Sequence, residues 1–367
     1  MSGKSCESLP VAMYHYVNEL AGGITLSPER FEEHCRALAE AGWQGVGLAE
    51  AEEYLENGAP LPLKSVLLSF DDGYLDNYFF ALPLLRKYGH RGVVFAVSDR
   101  LEKDSAVRAS VEDLLDGGVP VPDAVRVPEE LSPQGFRIRR DVFLNHAEAK
   151  VADAHGTLAV ASHSRGHFGV CLGPEFDGFF RPGDMPRTFY RTEAPMPWGM
   201  PNFRIRAGLL HRAFVPDPEM MQAITRLVPQ DFGQATEFFA DRRSEDALAR
   251  LVGGFAGRMG RFETDGERRE RMWREIAGGK AELESILGHS VRSLCWPWGD
   301  YCDEAHGLAR EAGFSVFFTT AEGSNPPDSA AAVHRFKAKD RGGRWLLSRA
   351  FLYSRPVLGR WYARMRM

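Results

Sequence analysis

The Asp71-Asp72 pair ends the apolar run Val66 to Phe70, with glycine at position 73. Adjacent acids at a strand end point in different directions, so one can bind a metal while the other faces a substrate. Alone, Asp-Asp-Gly is also an ordinary strand-ending turn. A second group, His163 and His167, follows the run Leu158 to Ser162 (LAVAS). Two imidazoles four residues apart in one loop can converge on a cation, and their nitrogens suit zinc and its neighbours. The third is Trp296-Pro297-Trp298-Gly299, after Val291 to Cys295, a rigid turn that can aim a backbone N–H into a pocket. The fourth is His15, in the first apolar run, where a core or rim histidine is the ordinary alternative.

All four fall at, or one step from, the end of an expected parallel strand. Strands are expected at Pro10 to Val17, Val66 to Phe70, Gly92 to Val97, Leu158 to Ser162, Val291 to Trp296, Ser315 to Thr320 and Ala332 to Phe336. Helices are expected from Pro28, at Tyr78 to Tyr88, Val142 to His155, Glu267 to Leu287 and Glu304 to Ala312. Such alternation predicts an α/β fold with a parallel sheet. In a barrel, functional loops gather at the carboxyl ends of the strands. Residues 168–264 break the rhythm, with no regular strand spacing, and read as an insertion that shapes or covers the site, or as a small separate domain. The last 27 residues hold seven arginines, no acid and several aromatics, and read as a basic tail over 341–367.

At 367 residues, 44% apolar and 26% charged, the chain can bury a large core unaided. A formal net charge of −5 gives no overall pull toward nucleic acid. Five scattered cysteines contain no CxxC pair, which argues against a disulfide framework or a cysteine-rich zinc site. The N-terminus lacks the apolar run of a signal peptide, so a cytoplasmic protein is expected. The tail is a candidate for peripheral membrane contact, or else an amphipathic helix packed on the barrel. The sequence does not address oligomeric state.

The three ordered motifs resemble those of the polysaccharide deacetylases that share the NodB homology domain, also called carbohydrate esterase family 4. Ser69 to Gly73 is similar to the first motif, His163 to His167 to the second, and Trp296 to Gly299 to the third. The Met13-Tyr14-His15 start resembles the branch that deacetylates poly-N-acetylglucosamine. The resemblance covers about 10–167 and 265–340 and implies a distorted (β/α) barrel over 10–340, interrupted between the second and third motifs. It implies that Asp72, His163 and His167 bind a divalent metal, zinc by default, with iron, cobalt or nickel fitting the same ligands. Asp71 would be the catalytic base, and the backbone N–H of Trp298 would help hold the oxyanion. The implied activity is hydrolysis of the N-acetyl group of an amino sugar in a polysaccharide or glycolipid. A non-catalytic carbohydrate-binding relative, or a deacylase of a lipid-linked or small amide substrate, are the alternatives. Two departures stand out. Cys295 occupies the place of the arginine that usually orients the base. No late Leu-x-His acid is plain; the resemblance to the poly-N-acetylglucosamine branch implies His15 as the acid, and His334 is the nearest late candidate.

Overall fold

The computed structural model describes residues 5–19, 23–122, 125, 129–131, 137–139, 142–182, 192–193 and 196–365. Its main sheet runs, in spatial order, Val316–Phe318, Ser293–Cys295, Leu158–Ser162, Gly92–Ala96, Ser65–Asp72, Val11–Tyr14 and Phe336–Lys337. The short strand Gln44–Gly45, which the sequence pattern does not announce, pairs with Ser65 and Val66. All these pairings are parallel. The two outer strands curl toward each other. Phe318 bridges Val333, and the Arg335 N–H donates to the Ala321 carbonyl at 2.9 Å. The result is the expected distorted barrel.

Continuous apolar strands suit this arrangement, because a parallel strand is covered on both faces. Every residue of Ser65–Asp72 is buried, as is every residue of Gly92–Ala96. Register then fixes the rim. Asp72 pairs with Ala96, Ala96 with Ser162, and Ser162 with Leu294. Hence Asp71, Asp72, His163 and the turn after Cys295 must share one end of the sheet.

The helices form the outer layer. Ser27 accepts the Arg30 N–H at 3.2 Å and starts the helix Pro28–Glu40, which buries Phe31, His34, Cys35 and Leu38. The helix expected at Tyr78 begins instead with a wide turn, Asn77–Ala81, and continues as Leu82–Lys87. The charged helix runs from Asp265–Trp273 to Gly279–Leu287 through a second wide turn, Arg274–Gly278. A Cβ on Gly279 would lie 2.6 Å from the backbone nitrogen of Arg165. Only glycine lets this helix press directly on the His163–His167 loop.

The segment 168–264 is more regular than its composition suggests. Gly169–Phe179 pairs antiparallel with Pro201–Ala207, and Phe214–Pro216 with Gly260–Phe262. Between them lie the helices Pro218–Leu227, Phe232–Ala240 and Arg242–Gly253. Phe179, Phe203, Phe214, Met220, Ile224, Leu248 and Val252 build an apolar cluster apart from the barrel core. Register shifts after Cys171 and again after Phe176 explain why strict alternation is missing from the sequence.

The basic C-terminus consists of two helices, Gly343–Tyr353 and Pro356–Arg364. Leu346, Ala350 and Tyr353 are buried, and Tyr353 stacks on Phe336 with ring centroids 5.4 Å apart. These residues extend the barrel's outer layer, as the packed-helix reading of the tail expects.

Candidate active site

Asp71 and Asp72 end the central strand, both buried. Asp72 turns away from its neighbour by adopting φ 77°. Its Oδ1 lies 3.6 Å from Nε2 of His163 and 3.9 Å from Nε2 of His167. One ligand atom from each of these residues falls within 4.8 Å of the others, the convergence that the sequence analysis expects for Asp72, His163 and His167.

The His163–His167 loop is held from below. Glu275, projecting from the wide turn, accepts the Ser164 hydroxyl at 3.0 Å and the Gly166 N–H at 3.2 Å. The Gly166 carbonyl accepts from the buried guanidinium of Arg100 at 3.1 Å. Ser164 and His167 have φ values of 65° and 56°, and Trp298 has 64°. Among the described residues, four of the five non-glycine positive-φ positions therefore belong to the three motifs. Such conformations persist only where the surroundings impose them, and they mark sites.

The donor set fits a divalent cation. Nδ1 of His163 is 2.8 Å from the Cys295 carbonyl, so it carries the ring proton and leaves Nε2 free to ligate. Burial lowers the pKa of both histidines and keeps them in the neutral form that binds metals. At His167 the indole N–H of Trp298 donates to Nδ1 at 2.8 Å. That contact places the neutral ring's proton on Nε2, so ligation through Nε2 requires a change of tautomer and release of the indole. Asp71, His163 and Cys295 also lie close together. That set is the poorer candidate, because burial pushes the Cys295 thiol up and Asp71 is already engaged by a cation.

The cation is Arg335. Its Nη1 and Nη2 donate to the two Asp71 carboxylate oxygens at 2.6 and 2.9 Å, while its Nε donates to the Thr319 carbonyl at 2.7 Å. Burial would raise the Asp71 pKa, but Arg335, with His163 and His15, holds it down at about 2. The sequence analysis finds no arginine for this task and places Cys295 where that arginine usually stands, with His334 as the nearest late candidate for the acid. The structure supplies the arginine from elsewhere in the chain. Cys295 lies against Asp71 with its sulfur 3.8 Å from Oδ1, and the arginine comes from the segment just before the strand Phe336–Lys337. The His334 ring packs against Gly323, because successive residues of extended chain face opposite ways. The only sequence signal for Arg335 is a basic residue inside the apolar run Ala332 to Phe336. Glu275 carries no signal beyond helical spacing.

His15 reaches the same rim, with Nε2 3.9 Å from Asp71 Oδ2 and its side chain 18% exposed. The Asn77 side chain fixes its backbone by donating to the His15 carbonyl at 2.9 Å. Burial lowers its pKa to about 4 despite the neighbouring Asp71, with Arg335, His163 and Lys337 acting in the same direction. A cavity of about 300 Å³ opens beside it, lined by Tyr16, Lys337 and Lys339 among others. A larger cavity, about 590 Å³ and mainly apolar, lies where the 168–264 segment meets the barrel, bounded by Phe168, Leu209, Phe214, Met221 and Glu275. Thus His15, Asp71, Asp72, His163, His167 and Trp298 all gather at one end of the sheet.

Comparison with known proteins agrees with this architecture. Residues 58–167 match the family model described as polysaccharide deacetylase. The chain is 30% identical over 114 residues to the putative polysaccharide deacetylase YxkH of Bacillus subtilis, covering 31% of this chain and 40% of that protein. It is 28% identical over 134 residues to poly-beta-1,6-N-acetyl-D-glucosamine N-deacetylase of Escherichia coli, covering 36% of this chain and 17% of that protein. The chain thus spans less than half the length of these curated relatives. In fold it is similar to a de-N-acetylase from Aggregatibacter actinomycetemcomitans, with a TM-score of 0.59 at 17% identity over 93% of this chain and 99% of that one. It is also similar to the BpsB deacetylase domain from Bordetella bronchiseptica, with a TM-score of 0.56 at 18% identity over 92% and 98%. Residues 58–167 are similar in sequence to polysaccharide deacetylases, and the fold that holds them is similar to that of these solved structures.

Proposed function

We propose that this protein hydrolyses the N-acetyl group of an amino sugar within a glycan, in a metal-dependent reaction. The observation that carries the proposal is the division of labour at one strand end: Asp72 converges with two neutral histidines, while Asp71 is gripped by Arg335 and faces His15. Sequence similarity to a poly-N-acetylglucosamine deacetylase supports an N-acetylated glycan as substrate.

Asp72, His163 and His167 would hold a divalent cation, by preference zinc, which when bound would supply Lewis acidity to the acetyl carbonyl. Two histidines and one carboxylate leave open positions, as catalysis requires. Asp71 accepts a proton from the attacking water. Arg335 keeps that carboxylate ionised and fixes its orientation through two hydrogen bonds. The backbone N–H of Trp298, in the turn above the site, steadies the oxygen that gains charge. The C–N bond then breaks as a proton reaches the departing amine nitrogen, leaving acetate and a free amino sugar. His15, neutral at rest and 3.9 Å from Asp71, is the group that passes this proton on.

Release of free amine from an N-acetylglucosamine oligosaccharide tests the proposal. Amine should appear with the zinc-loaded protein, cease on chelation and return when metal is restored. Turnover that is indifferent to chelation would rule out the metal-dependent reaction.

A further inference from the structure

The outer face of the two C-terminal helices is not used by the chemistry above, and its composition is unlike the rest of the surface. Ten large apolar side chains are exposed among the described residues, and five of them are Phe351, Val357, Leu358, Trp361 and Met365. On the second helix the inward residues Gly359 and Ala363 are buried against the barrel. At roughly 100° per residue, Val357, Leu358, Trp361 and Met365 fall together within an arc of about 100°. Arg360 and Arg364, both exposed, line one border of that arc. Arg344 adds a third exposed guanidinium on the first helix. None of these three forms an ion pair among the described residues, and residues 341–367 contain no acid although the whole chain has a formal net charge of −5.

We propose that this face is a peripheral docking surface for an anionic lipid bilayer. Each part suits that partner. A tryptophan beside aliphatic residues enters the boundary between headgroups and acyl chains, and adjacent arginines meet lipid phosphates. The buried inner face anchors the helix to the barrel, so the surface is presented ready-formed. Among the described residues no helix is long and apolar enough to cross a membrane, so the contact is superficial. A second copy of the chain is the poorer occupant. A twofold contact through this patch would bring arginines together with no acid from either helix pair.

Vesicle flotation of the full chain tests the assignment, using phosphatidylcholine vesicles with and without phosphatidylglycerol. The wild-type protein should float with the anionic vesicles, and much less with phosphatidylcholine alone or at high salt. Two double variants, Leu358→Glu with Trp361→Glu and Arg360→Glu with Arg364→Glu, should each bind at least tenfold more weakly. Their melting curves should match wild type, because all four side chains point away from the barrel. Wild-type protein that stays at the bottom of the gradient overturns the proposal, as does flotation unaffected by the first double variant. A dimer that this variant dissociates, with no vesicle binding by wild type, assigns the face to a second copy and overturns it equally.

Discussion

The rim of the barrel and the 168–264 segment are neighbours that are stabilised in opposite ways. The rim is assembled from residues far apart in sequence: His15, Asp71 and Asp72, His163 and His167, Trp298 and Arg335. Its backbone is held in left-handed conformations at four non-glycine positions, each costing about 1–3 kcal/mol. It buries two carboxylates, a guanidinium and two imidazoles together. The inserted segment relies on two antiparallel strand pairs and apolar burial, and its positive-φ positions among the described residues are glycines. The rim gives up stability to fix geometry, whereas the insertion follows the ordinary rules of folding. Substitutions should therefore damage chemistry in one region and stability in the other.

The largest effect is expected at the rim. Asp72→Asn keeps the side chain's size but removes a charged metal ligand. Bound zinc, measured by elemental analysis, should fall well below one per chain, and turnover should drop by about a thousandfold or more. Full zinc content in this variant would break the assignment of Asp72.

Arg335→Met comes next. Loss of one partner from a buried ion pair is worth about 3–5 kcal/mol, so the melting temperature should fall. A second readout separates chemistry from stability. Without the guanidinium, the Asp71 pKa is no longer held near 2 and rises. The acidic limb of the kcat/KM profile should consequently move to higher pH. An unmoved limb would mean that Asp71 is not the base that Arg335 tunes.

Ile224→Ala, in the apolar cluster of the insertion, should cost about 2–5 kcal/mol of that segment's stability. Turnover per folded molecule should remain within about twofold, as circular dichroism and kinetics together would show. A loss of turnover comparable to that of Asp72→Asn would erase the contrast between the two regions.

The smallest effect belongs to the outer layer of helices, at the helix Pro28–Glu40. His34 is buried, with Nε2 2.6 Å from the Arg341 carbonyl, and burial lowers its pKa from the ordinary 6.5. The unfolded chain therefore binds a proton more readily than the native one. This contribution to stability is fully present above about pH 6.5 and declines as pH falls toward the lower native value. His34→Gln should flatten the fall in melting temperature between pH 6.5 and 5; an unchanged slope would assign that fall to other groups.

The contrast also explains what could be read from the sequence. Apolar runs ending in Asp71-Asp72, His163 or Trp296 expose both strand and site, because parallel strands bury both faces and their carboxyl ends carry function. Arg335 is hidden for the same physical reason that makes it effective. It sits between His334 and Phe336 near a two-residue strand, and only the closed sheet determines which neighbour faces Asp71. The strand Gly169–Phe179 is obscured by its bulges and its exposed stretch from Pro174 to Gly178. Glu275 acts across 109 residues on the Gly166 N–H, a relation that no local pattern encodes.

The central claim is that Asp72 holds the metal while Asp71 moves the proton. Asp71→Asn separates the two roles when bound zinc and amine release are measured on the same preparation. The account predicts zinc retained at about one per chain, with release of free amine from an N-acetylglucosamine oligosaccharide reduced by about a thousandfold. Undiminished amine release from zinc-replete Asp71→Asn would contradict it.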